Sequence, residues 1–424
     1  MNYKFVEKVE VTEMHKRVAV TGISVISPLG TQIETFWNNL INGQSGISRI
    51  NSFDPSGFTT QIGGMASDFN PESFFDSKEL RHMDRFVQFA VAAGKMAVKN
   101  AQLTITESNA HRVGVSIGTG IGGIQTTLDN HSVMLERGPK RISPFLIPMM
   151  IANMGSAQLS IHLGAKGPNT TPVNACASGN NAIGDSFHMI RNGVADVMIA
   201  GGAESPLNEL AFGGFCNMKA MSTRNDQPHQ ASRPFDMNRD GFVMSEGAGV
   251  LVLEEWEHAR SRGATILAEV IGYGQSADAY HMTAPDPNGM GAVRAMNAAL
   301  QDARISPEEV DYINAHATGT PLGDKSETQA IKNVFGSHAY KLKVSATKSA
   351  TGHLFGAAGG LEAVISVKAL MEGILPPTIN YETPDPECDL DYVPNEARDS
   401  NVQTVLSNGF GFGGHNAVVV FRKV

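Results

Sequence analysis

The chain has 424 residues, of which 42% are hydrophobic and 18% charged, so it can build a large core and is not mainly disordered. Its 44 glycines follow no three-residue period, which excludes a collagen. The formal net charge of −9 disfavours a nucleic-acid-binding protein and means that any anionic partner must meet a local basic patch.

Short β-branched runs alternate with longer helical patterns along the chain, which predicts an α/β protein with buried sheets. After Arg262 and Gly263 the pattern restarts with a new strand, so we expect two similar halves, residues 14–262 and 263–424, packed as one body. In chain order, strands are predicted at residues 17–22, 112–117, 196–200, 249–253, 266–271, 311–314, 342–345 and 417–421, and helices at residues 34–42, 84–101, 178–192, 290–303, 326–335 and 359–372.

The N-terminal segment, the apolar stretches and the cysteines indicate the cellular compartment of the protein. Residues 1–17 carry several charges and no apolar core, so they do not form a secretory signal. Residues 1–13 are interpreted as a leader, either a disordered tail or sequence upstream of an alternative start at Met14. No stretch approaches the roughly 18 apolar residues that a membrane-spanning helix needs, so no membrane insertion is expected. Three cysteines without a C-x-x-C motif favour reduced thiols in a cytoplasmic protein over a disulfide framework or a zinc site.

Cys176 stands in the segment Val173-Asn-Ala-Cys-Ala-Ser-Gly, immediately before a predicted helix. At a helix N-terminus the dipole and the unpaired N–H groups favour a thiolate, and small neighbours leave room for a substrate carbonyl. A buried structural cysteine is the other interpretation of this position, and position alone does not decide between the two. Cys216 and Cys388 lack this setting and are interpreted as structural.

Two histidines stand on glycine-rich loops after predicted strands. His316 lies in Asn314-Ala-His-Ala-Thr-Gly-Thr, and His353 lies in Lys348-Ser-Ala-Thr-Gly-His. A lone histidine is more often structural, but the ends of strands are where open α/β sheets bind ligands. The combination with a cysteine before a helix therefore favours a catalytic site, provided that the fold brings the three residues together.

The sequence contains three further segments with a recognisable pattern. The segment 118–123 matches G-x-G-x-x-G but lacks the acidic residue expected about 20 positions later, so its glycines are interpreted as close packing around a pocket. The segment Gly409-Phe-Gly-Phe-Gly-Gly-His415 is either a plain hairpin turn or a mobile aromatic flap on a hydrophobic tunnel. The charged segment 233–249 is interpreted as a structural ion network, because charge is buried only where it is paired.

Together, the Ala-Cys-Ala-Ser-Gly turn, the His-Ala-Thr-Gly-Thr loop, Lys348 with Gly352-His353, and the Gly-Phe-Gly-Phe-Gly-Gly segment resemble the β-ketoacyl-[acyl-carrier-protein] synthases, specifically the type II condensing enzymes. The resemblance covers the chain from about residue 16 to its end. It implies a thiolase-like five-layer α-β-α-β-α fold of two related halves, with Cys176 in the first half and both histidines in the second. It also implies a cytoplasmic homodimer that needs neither metal nor cofactor, since the phosphopantetheine arm belongs to the acyl carrier protein.

The resemblance also implies a role for each matching residue. Cys176 resembles the acyl-accepting nucleophile, His316 and His353 the pair that stabilises an enolate, Lys348 the supporting lysine and Glu362 the acid that orders its corner. Phe412 resembles the gating aromatic, whose N–H joins that of Cys176 in an oxyanion hole. Substrate-binding positions are Thr318 and Thr320 for the pantetheine arm and Ile121, Phe215 and Phe410 for the acyl chain, and carrier-protein docking positions are Lys78, Arg81, Lys140, Arg141 and Lys219.

The implied reaction is the decarboxylative condensation of a Cys176-bound acyl group with malonyl-[acyl-carrier-protein] during fatty-acid elongation. The alternatives are a type I or polyketide-type synthase, a thiolase that uses coenzyme A, and a non-catalytic subunit resembling a chain-length factor. The sequence departs from the family pattern at Ser245, Ala317 and His415, where glycine, glycine and threonine are common. His415 is interpreted as supporting the site without contacting the substrate.

Overall fold

The computed structural model describes residues 15–424, so the predicted leader lies outside the described residues. Every strand that the sequence predicts is present, and shorter ones lie between them. The strands are β1 (Val18–Ile26), β2 (Ile47–Arg49), β3 (Ile62–Gly64), β4 (Val113–Gly118), β5 (Asn169–Thr170), β6 (Val197–Glu204), β7 (Gly247–Glu255), β8 (Ala268–Ala277), β9 (Tyr312–Asn314), β10 (Lys343–Ser345), β11 (Ile374–Leu375), β12 (Arg398–Asp399), β13 (Thr404–Gly411) and β14 (His415–Arg422).

Every predicted helix is present too. The helices are α1 (Ile33–Ile41), α2 (Ser77–Leu80), α3 (Arg85–Asn100), α4 (Ile124–Arg137), α5 (Leu146–Met150), α6 (Met154–Leu163), α7 (Ser178–Arg191), α8 (Glu209–Asn217), α9 (Trp256–Ser261), α10 (Met290–Ala303), α11 (Pro321–Phe335), α12 (Lys348–Thr351) and α13 (Ala358–Glu372). In residues 15–424, no helix has the length and apolar composition needed to cross a membrane.

Ten strands form one hydrogen-bonded sheet in the order β10-β9-β13-β14-β8-β1-β7-β6-β4-β5. From the centre outward, β1, β7, β6, β4 and β5 follow one another through two antiparallel and then two parallel pairings. On the other side, β8, β14, β13, β9 and β10 follow in the same sequence of pairings. The repeated order confirms two related halves, joined by a short antiparallel pairing of β1 with β8.

Helices cover both outer faces of the sheet and fill the space between its halves. α3 and α6 pack on the outer face of the first half, whereas α10, backed by α11, packs on the outer face of the second. α7 and α13 contact strands of both halves and form the central layer. This arrangement confirms the predicted five-layer α-β-α-β-α fold.

Glycines allow α13 to begin directly on the sheet. A Cβ atom on Gly249 of β7 would lie 2.2 Å from Leu361 N, and one on Gly360 would lie 2.2 Å from Gly249 O. Backbone therefore meets backbone at this crossing, with no space for a side chain. The contact holds the start of α13, and with it the preceding segment that carries His353, against the centre of the sheet.

We predict that Gly249→Ala lowers the free energy of unfolding by about 1–3 kcal/mol, because the new methyl group overpacks the crossing. Gly214→Ala is the control, since Gly214 lies in α8 with open space where a Cβ would stand; there alanine raises helix propensity. Urea denaturation measures both. Equal stability of the two variants would contradict the close packing.

Candidate active site

Cys176 lies on a tight turn that leads into α7. Ala175 takes a left-handed φ of 48°, which is uncommon outside glycine, and Ala175–Ala177 form a single 3-10 turn. The Ser178 hydroxyl accepts the Asn174 N–H at 2.8 Å and donates to the Ala175 carbonyl at 2.7 Å, which closes the turn on itself. The turn presents the thiol to a cavity of about 450 Å³.

The fold brings both predicted histidines to this thiol. His353 Nε2 lies 2.9 Å from Cys176 Sγ, within hydrogen-bond distance. The His316 ring lies 5.5 Å from the His353 ring, centroid to centroid, at an interplanar angle of 86°. All three side chains line the same cavity. The sequence therefore correctly predicted which side chains meet, although 140 and 37 positions separate them.

The backbone around His353 is held on both sides by one extended segment. His353 N–H donates to the Val243 carbonyl at 2.8 Å, and its own carbonyl accepts the Ser245 N–H at 2.9 Å. The Phe355 ring stacks on the imidazole with the centroids 4.8 Å apart. These contacts fix the direction in which Nε2 points.

Lys348 and Glu362 form an ion pair beneath the histidines, and both side chains are almost fully buried. Burial raises the pKa of the Glu362 carboxyl to about 7, although the adjacent Lys348 ammonium acts to lower it. The resemblance implied this pairing. The ion pair keeps a positive charge close to both imidazoles.

The two imidazoles are neutral at physiological pH. Burial holds the pKa of His316 well below its ordinary value, and the charge of Lys348 and the nearby His353 lower it further. Burial and Lys348 lower the pKa of His353 in the same way. A neutral imidazole offers one N–H donor and one lone pair, so each ring can either accept a proton or donate a hydrogen bond.

The thiol of Cys176 is also neutral, which corrects the expected thiolate. Burial raises its pKa to about 12, although Lys348 and the Phe412 N–H act to lower it. Cys176 does lie before a helix, as predicted, but loss of hydration costs the thiolate more than its favourable neighbours return. The resting pair is therefore a thiol that donates its proton to His353 Nε2.

Phe412 lies in the hairpin between β13 and β14, close enough to Cys176 that its backbone N–H acts to lower the pKa of the thiol. A Cβ on Gly411 would lie 3.1 Å from Cys176 N, so glycine permits the close approach of this hairpin to the cysteine turn. Two backbone N–H groups thus lie beside the sulfur. The motif is a hairpin turn in this structure, and its opening as a flap stays a prediction.

The other predicted substrate positions are distributed around the cavity. Thr318 and Thr320 line it with their hydroxyl oxygens 3.2 Å apart, and the Phe410 ring lies 5.7 Å from the His316 ring. Phe215 packs in the same apolar cluster as Cys176. Ile121 does not line the cavity; it lies on the loop between β4 and α4.

The five predicted docking residues are exposed. Lys219 lies at the cavity mouth, and Lys140 and Arg141 share a 3-10 turn after α4. The exposed side chains are those of Lys78, Arg81, Lys140, Arg141 and Lys219.

The charged segment 233–249 confirms the predicted ion network. Arg239 Nη1 lies 2.6 Å from Asp385 Oδ2, and Arg233 Nη2 lies 2.9 Å from Glu382 Oε2. His415 is exposed at the start of β14. Within residues 15–424, no group of His, Cys, Asp and Glu side chains has the arrangement of a metal site.

Two buried carboxylates near the site escaped the sequence analysis. Glu327 of α11 accepts the N–H groups of His316 and Ala317 at 2.9 and 2.7 Å, and so fixes the histidine loop. Glu204, the last residue of β6, accepts four hydrogen bonds from loops beside Cys176. An acid within an otherwise buried strand or helix face was the available signal for both residues.

Comparison with known proteins agrees with this geometry. Residues 15–259 match the family described as beta-ketoacyl synthase, N-terminal domain, and residues 267–382 match beta-ketoacyl synthase, C-terminal domain. The chain is 53% identical over 408 residues to a Synechocystis protein named 3-oxoacyl-[acyl-carrier-protein] synthase 2, covering 96% of this chain and 98% of the relative. A Staphylococcus aureus protein of the same name is 52% identical, covering 96% of this chain and 99% of the relative.

Among solved structures, one similar chain comes from a complex of a type II polyketide acyl-carrier protein with its ketosynthase, bound to a hexaketide. It superposes with a TM-score of 0.89 at 36% identity, covering 97% of this chain and 100% of that chain.

We predict that the rate of Cys176 alkylation by iodoacetamide keeps rising with pH up to about pH 10, because the thiolate becomes more populated as pH approaches a raised pKa. Mass spectrometry of the modified peptide measures the rate. A plateau that begins below about pH 8 would indicate a thiolate–imidazolium pair and contradict the neutral resting state.

Proposed function

The chain belongs to the β-ketoacyl synthase family, and we propose that it elongates fatty acids by condensing an acyl group held on Cys176 with malonyl-[acyl-carrier-protein]. The products are 3-oxoacyl-[acyl-carrier-protein] and CO2. The observation that carries this proposal is the approach of His353 Nε2 to Cys176 Sγ at 2.9 Å in a cavity that His316 also lines. A sulfur nucleophile with two neutral imidazoles suits thioester exchange and thioester enolisation.

The first half-reaction loads the enzyme. Cys176 passes its proton to His353 Nε2 as the sulfur attacks the carbonyl carbon of the acyl-carrier thioester. The tetrahedral intermediate then collapses with cleavage of the bond to the carrier sulfur, which leaves with the proton from His353. The result is an acyl-Cys176 thioester, a free carrier thiol and a neutral imidazole again.

The second half-reaction begins with malonyl-carrier. Its terminal C–C bond breaks, CO2 leaves, and the electron pair forms an enolate at the thioester. Once Cys176 is acylated, its thiol no longer donates to His353 Nε2, so His353 can take the tautomer that carries the proton on Nε2. In that tautomer His353 donates to the enolate oxygen together with an N–H of His316, and one such donor is worth about 2.7–4 kcal/mol in a comparable oxyanion hole. Decarboxylation removes the need for a strong base to form the carbanion.

The carbanion then attacks the acyl-Cys176 carbonyl. The N–H groups of Cys176 and Phe412 receive the developing oxyanion, since both lie beside the sulfur. The oxyanion collapses, the C–S bond breaks with its electron pair on Cys176 Sγ, and the new C–C bond remains. The Cys176 thiolate then takes from solvent the one proton that the overall reaction consumes. Lys348, paired with Glu362, keeps the imidazoles neutral between turnovers.

The substrate is presented by an acyl carrier protein, whose phosphopantetheine arm enters the cavity, so the enzyme itself needs no resident cofactor. Thr318 and Thr320 suit the polar arm, because their hydroxyls line the cavity between its mouth and Cys176. The exposed basic residues Lys78, Arg81, Lys140, Arg141 and Lys219 form the surface that receives the acidic carrier. Phe215 and Phe410 form walls around the acyl chain, whereas Ile121 lies outside the cavity, so its contact with the chain stays a prediction.

We also propose a cytoplasmic homodimer whose protomers each combine the halves 14–262 and 263–424. β5 is an edge strand of the large sheet, and one side of its backbone has no partner strand within residues 15–424. α6 packs on β5, α5 on α6 and α4 on α5. Exposed apolar residues on these helices and after β5 are Leu135, Ile147, Ile161 and Val173, which expose 70, 59, 72 and 50% of their surface. A second copy would extend the sheet across β5 and cover these apolar side chains.

The alternatives are disfavoured by particular residues. A chain-length-factor-like subunit would lack the nucleophile, whereas Cys176 is present and hydrogen-bonded. A thiolase would use a second cysteine where His353 stands. A polyketide-type synthase fits the fold, but the relatives at 53 and 52% identity are named 3-oxoacyl-[acyl-carrier-protein] synthase 2.

We predict that Cys176→Ala abolishes labelling of the protein by a radiolabelled acyl-carrier and lowers condensation roughly 10³-fold or more. Cys216→Ala is the matched control, because Cys216 is buried in the same apolar cluster and has no role in the proposed mechanism. It should keep full labelling. Condensation at the native rate by the Cys176 variant would end the proposal.

We predict that the double change Lys140→Glu, Arg141→Glu raises KM for the carrier-linked substrate about tenfold and reduces its salt dependence, with little change in kcat. The control is Lys341→Glu. Lys341 is exposed and lies just before β10, at the amino end of the parallel β9–β10 pair, whereas His316 follows the carboxyl end of β9. Steady-state kinetics at low and high salt measure both. A KM equal to that of the control would remove these residues from the docking surface.

A further inference from the structure

Two loops beside the nucleophile are joined by one buried carboxylate, that of Glu204. Its oxygens accept hydrogen bonds from Thr119 Oγ1 at 2.7 Å, Gly120 N at 2.5 Å, Ile121 N at 3.2 Å and Gly356 N at 3.0 Å. The first three donors belong to the loop after β4, which we call the glycine loop (residues 118–123). The fourth belongs to the turn that follows His353.

The glycine loop also contacts the cysteine turn. Ser178 Oγ, which closes that turn, lies 3.2 Å from the Thr119 carbonyl. A Cβ on Gly120 would lie 3.6 Å from Ala175 Cα, 3.7 Å from Gly356 N and 2.9 Å from Glu204 itself. Gly120 is thus wedged between the cysteine turn and the His353 turn, and Glu204 holds it there.

The chemistry of the site requires a carboxylate. Glu204 has no exposed surface, and its four partners are N–H and O–H donors. Burial raises its pKa, and the four donors act to lower it. A glutamine of the same shape would keep one acceptor oxygen. Its NH2 group cannot accept hydrogen bonds, so the buried N–H groups that face it would be left unpaired.

We propose that Glu204 is a positioning residue of the condensation, which locks the glycine loop to the His353 turn and so keeps His353 aligned with Cys176. This inference rests on the proposed function, because it takes Cys176 and His353 as the reacting pair. The glycine loop is itself fixed to the cysteine turn through Ser178, so the Glu204 carboxylate links the two turns that carry this pair.

Two consequences follow. Loss of the carboxylate leaves Gly120 N in the glycine loop and Gly356 N in the turn after His353 without their acceptor, so the alignment of His353 with Cys176 loosens and the rate falls. Glu204 does not line the cavity, so substrate binding is little affected.

The test compares Glu204→Gln with Glu254→Gln. Both glutamates are fully buried, but Glu254 pairs opposite Val197 whereas Glu204 pairs opposite Gly247, which places them at opposite ends of the β6–β7 pair, roughly 23 Å apart. Glu254 binds Thr21 and Arg262 and contacts no residue of the site. The control thus reports what the loss of a buried carboxylate does to stability alone, which thermal melting records for both variants.

For Glu204→Gln we expect kcat to fall about 10- to 100-fold with a short acyl primer, with KM for malonyl-carrier nearly unchanged. Iodoacetamide should alkylate Cys176 faster and from a lower pH, because a neighbouring negative charge is removed. Glu254→Gln should change none of these values below its melting temperature.

Thr119→Val gives a second, milder variant that removes one donor and keeps the carboxylate. It should lower kcat about threefold while leaving the pH dependence of alkylation unchanged. The proposal is overturned if Glu204→Gln matches Glu254→Gln, or, should Glu204→Gln not fold, if Thr119→Val matches the unmodified protein. Alkylation needs no substrate, so its response to Glu204→Gln tests the local coupling even if the unmodified protein fails to condense acyl chains, which would refute the proposed function instead.

Discussion

The hydrogen bond between the Cys176 thiol and His353 Nε2 is the interaction on which the site depends, and burial keeps both partners neutral. Loss of hydration raises the pKa of the thiol to about 12 and lowers that of the imidazole. The Lys348 charge acts on both groups in the direction that favours the neutral imidazole and the thiolate. In a neutral pair, the thiol can pass its proton to the imidazole when a thioester arrives. The neutral imidazole can donate a hydrogen bond to an enolate afterwards. An ion pair at rest would be less suited to this sequence of steps.

The fold explains how residues so far apart in the chain form this pair. Cys176 begins α7 and His353 precedes α13, and these two helices form the central layer between the sheet halves. α13 begins on the sheet with backbone against backbone at Gly249 and Gly360. Because the two half-sheets repeat the same strand order, the turn before α7 in the first half and the turn before α13 in the second half meet at this layer. The duplicated fold is therefore what places a nucleophile from one half beside the histidines of the other.

The sequence predicted the long buried elements and the chemistry-bearing residues, and the misses have physical reasons. β13 was missed because its Gly-Phe-Gly pattern lacks the β-branched run that marks a buried strand. α4 was missed because Thr126 is its only buried residue, so no apolar stripe marks it. The thiolate at Cys176 was expected because the helix N-terminus is visible in the sequence, whereas the depth of burial that outweighs it is not.

Glu204 and Glu327 were missed for a related reason. Each accepts backbone N–H groups from loops that are distant in sequence, and no spacing rule relates a carboxylate to such donors. The resemblance to condensing enzymes supplied the roles of Lys348 and Glu362, which residue patterns alone did not indicate. Sequence reasoning thus finds the groups that react, and the structure is needed to find the groups that hold them in place.

The central claim is that His353 is neutral at rest, and nitrogen-15 NMR of the histidine-labelled protein tests it most directly, with the His353→Ala variant used to assign the signal. The account predicts that the His353 ring nitrogens keep the shifts of a neutral imidazole through the pH range in which an ordinary histidine, with a pKa of about 6.5, becomes protonated. An imidazolium signal at about pH 7, or a titration with a midpoint near or above the ordinary histidine pKa of about 6.5, would contradict it.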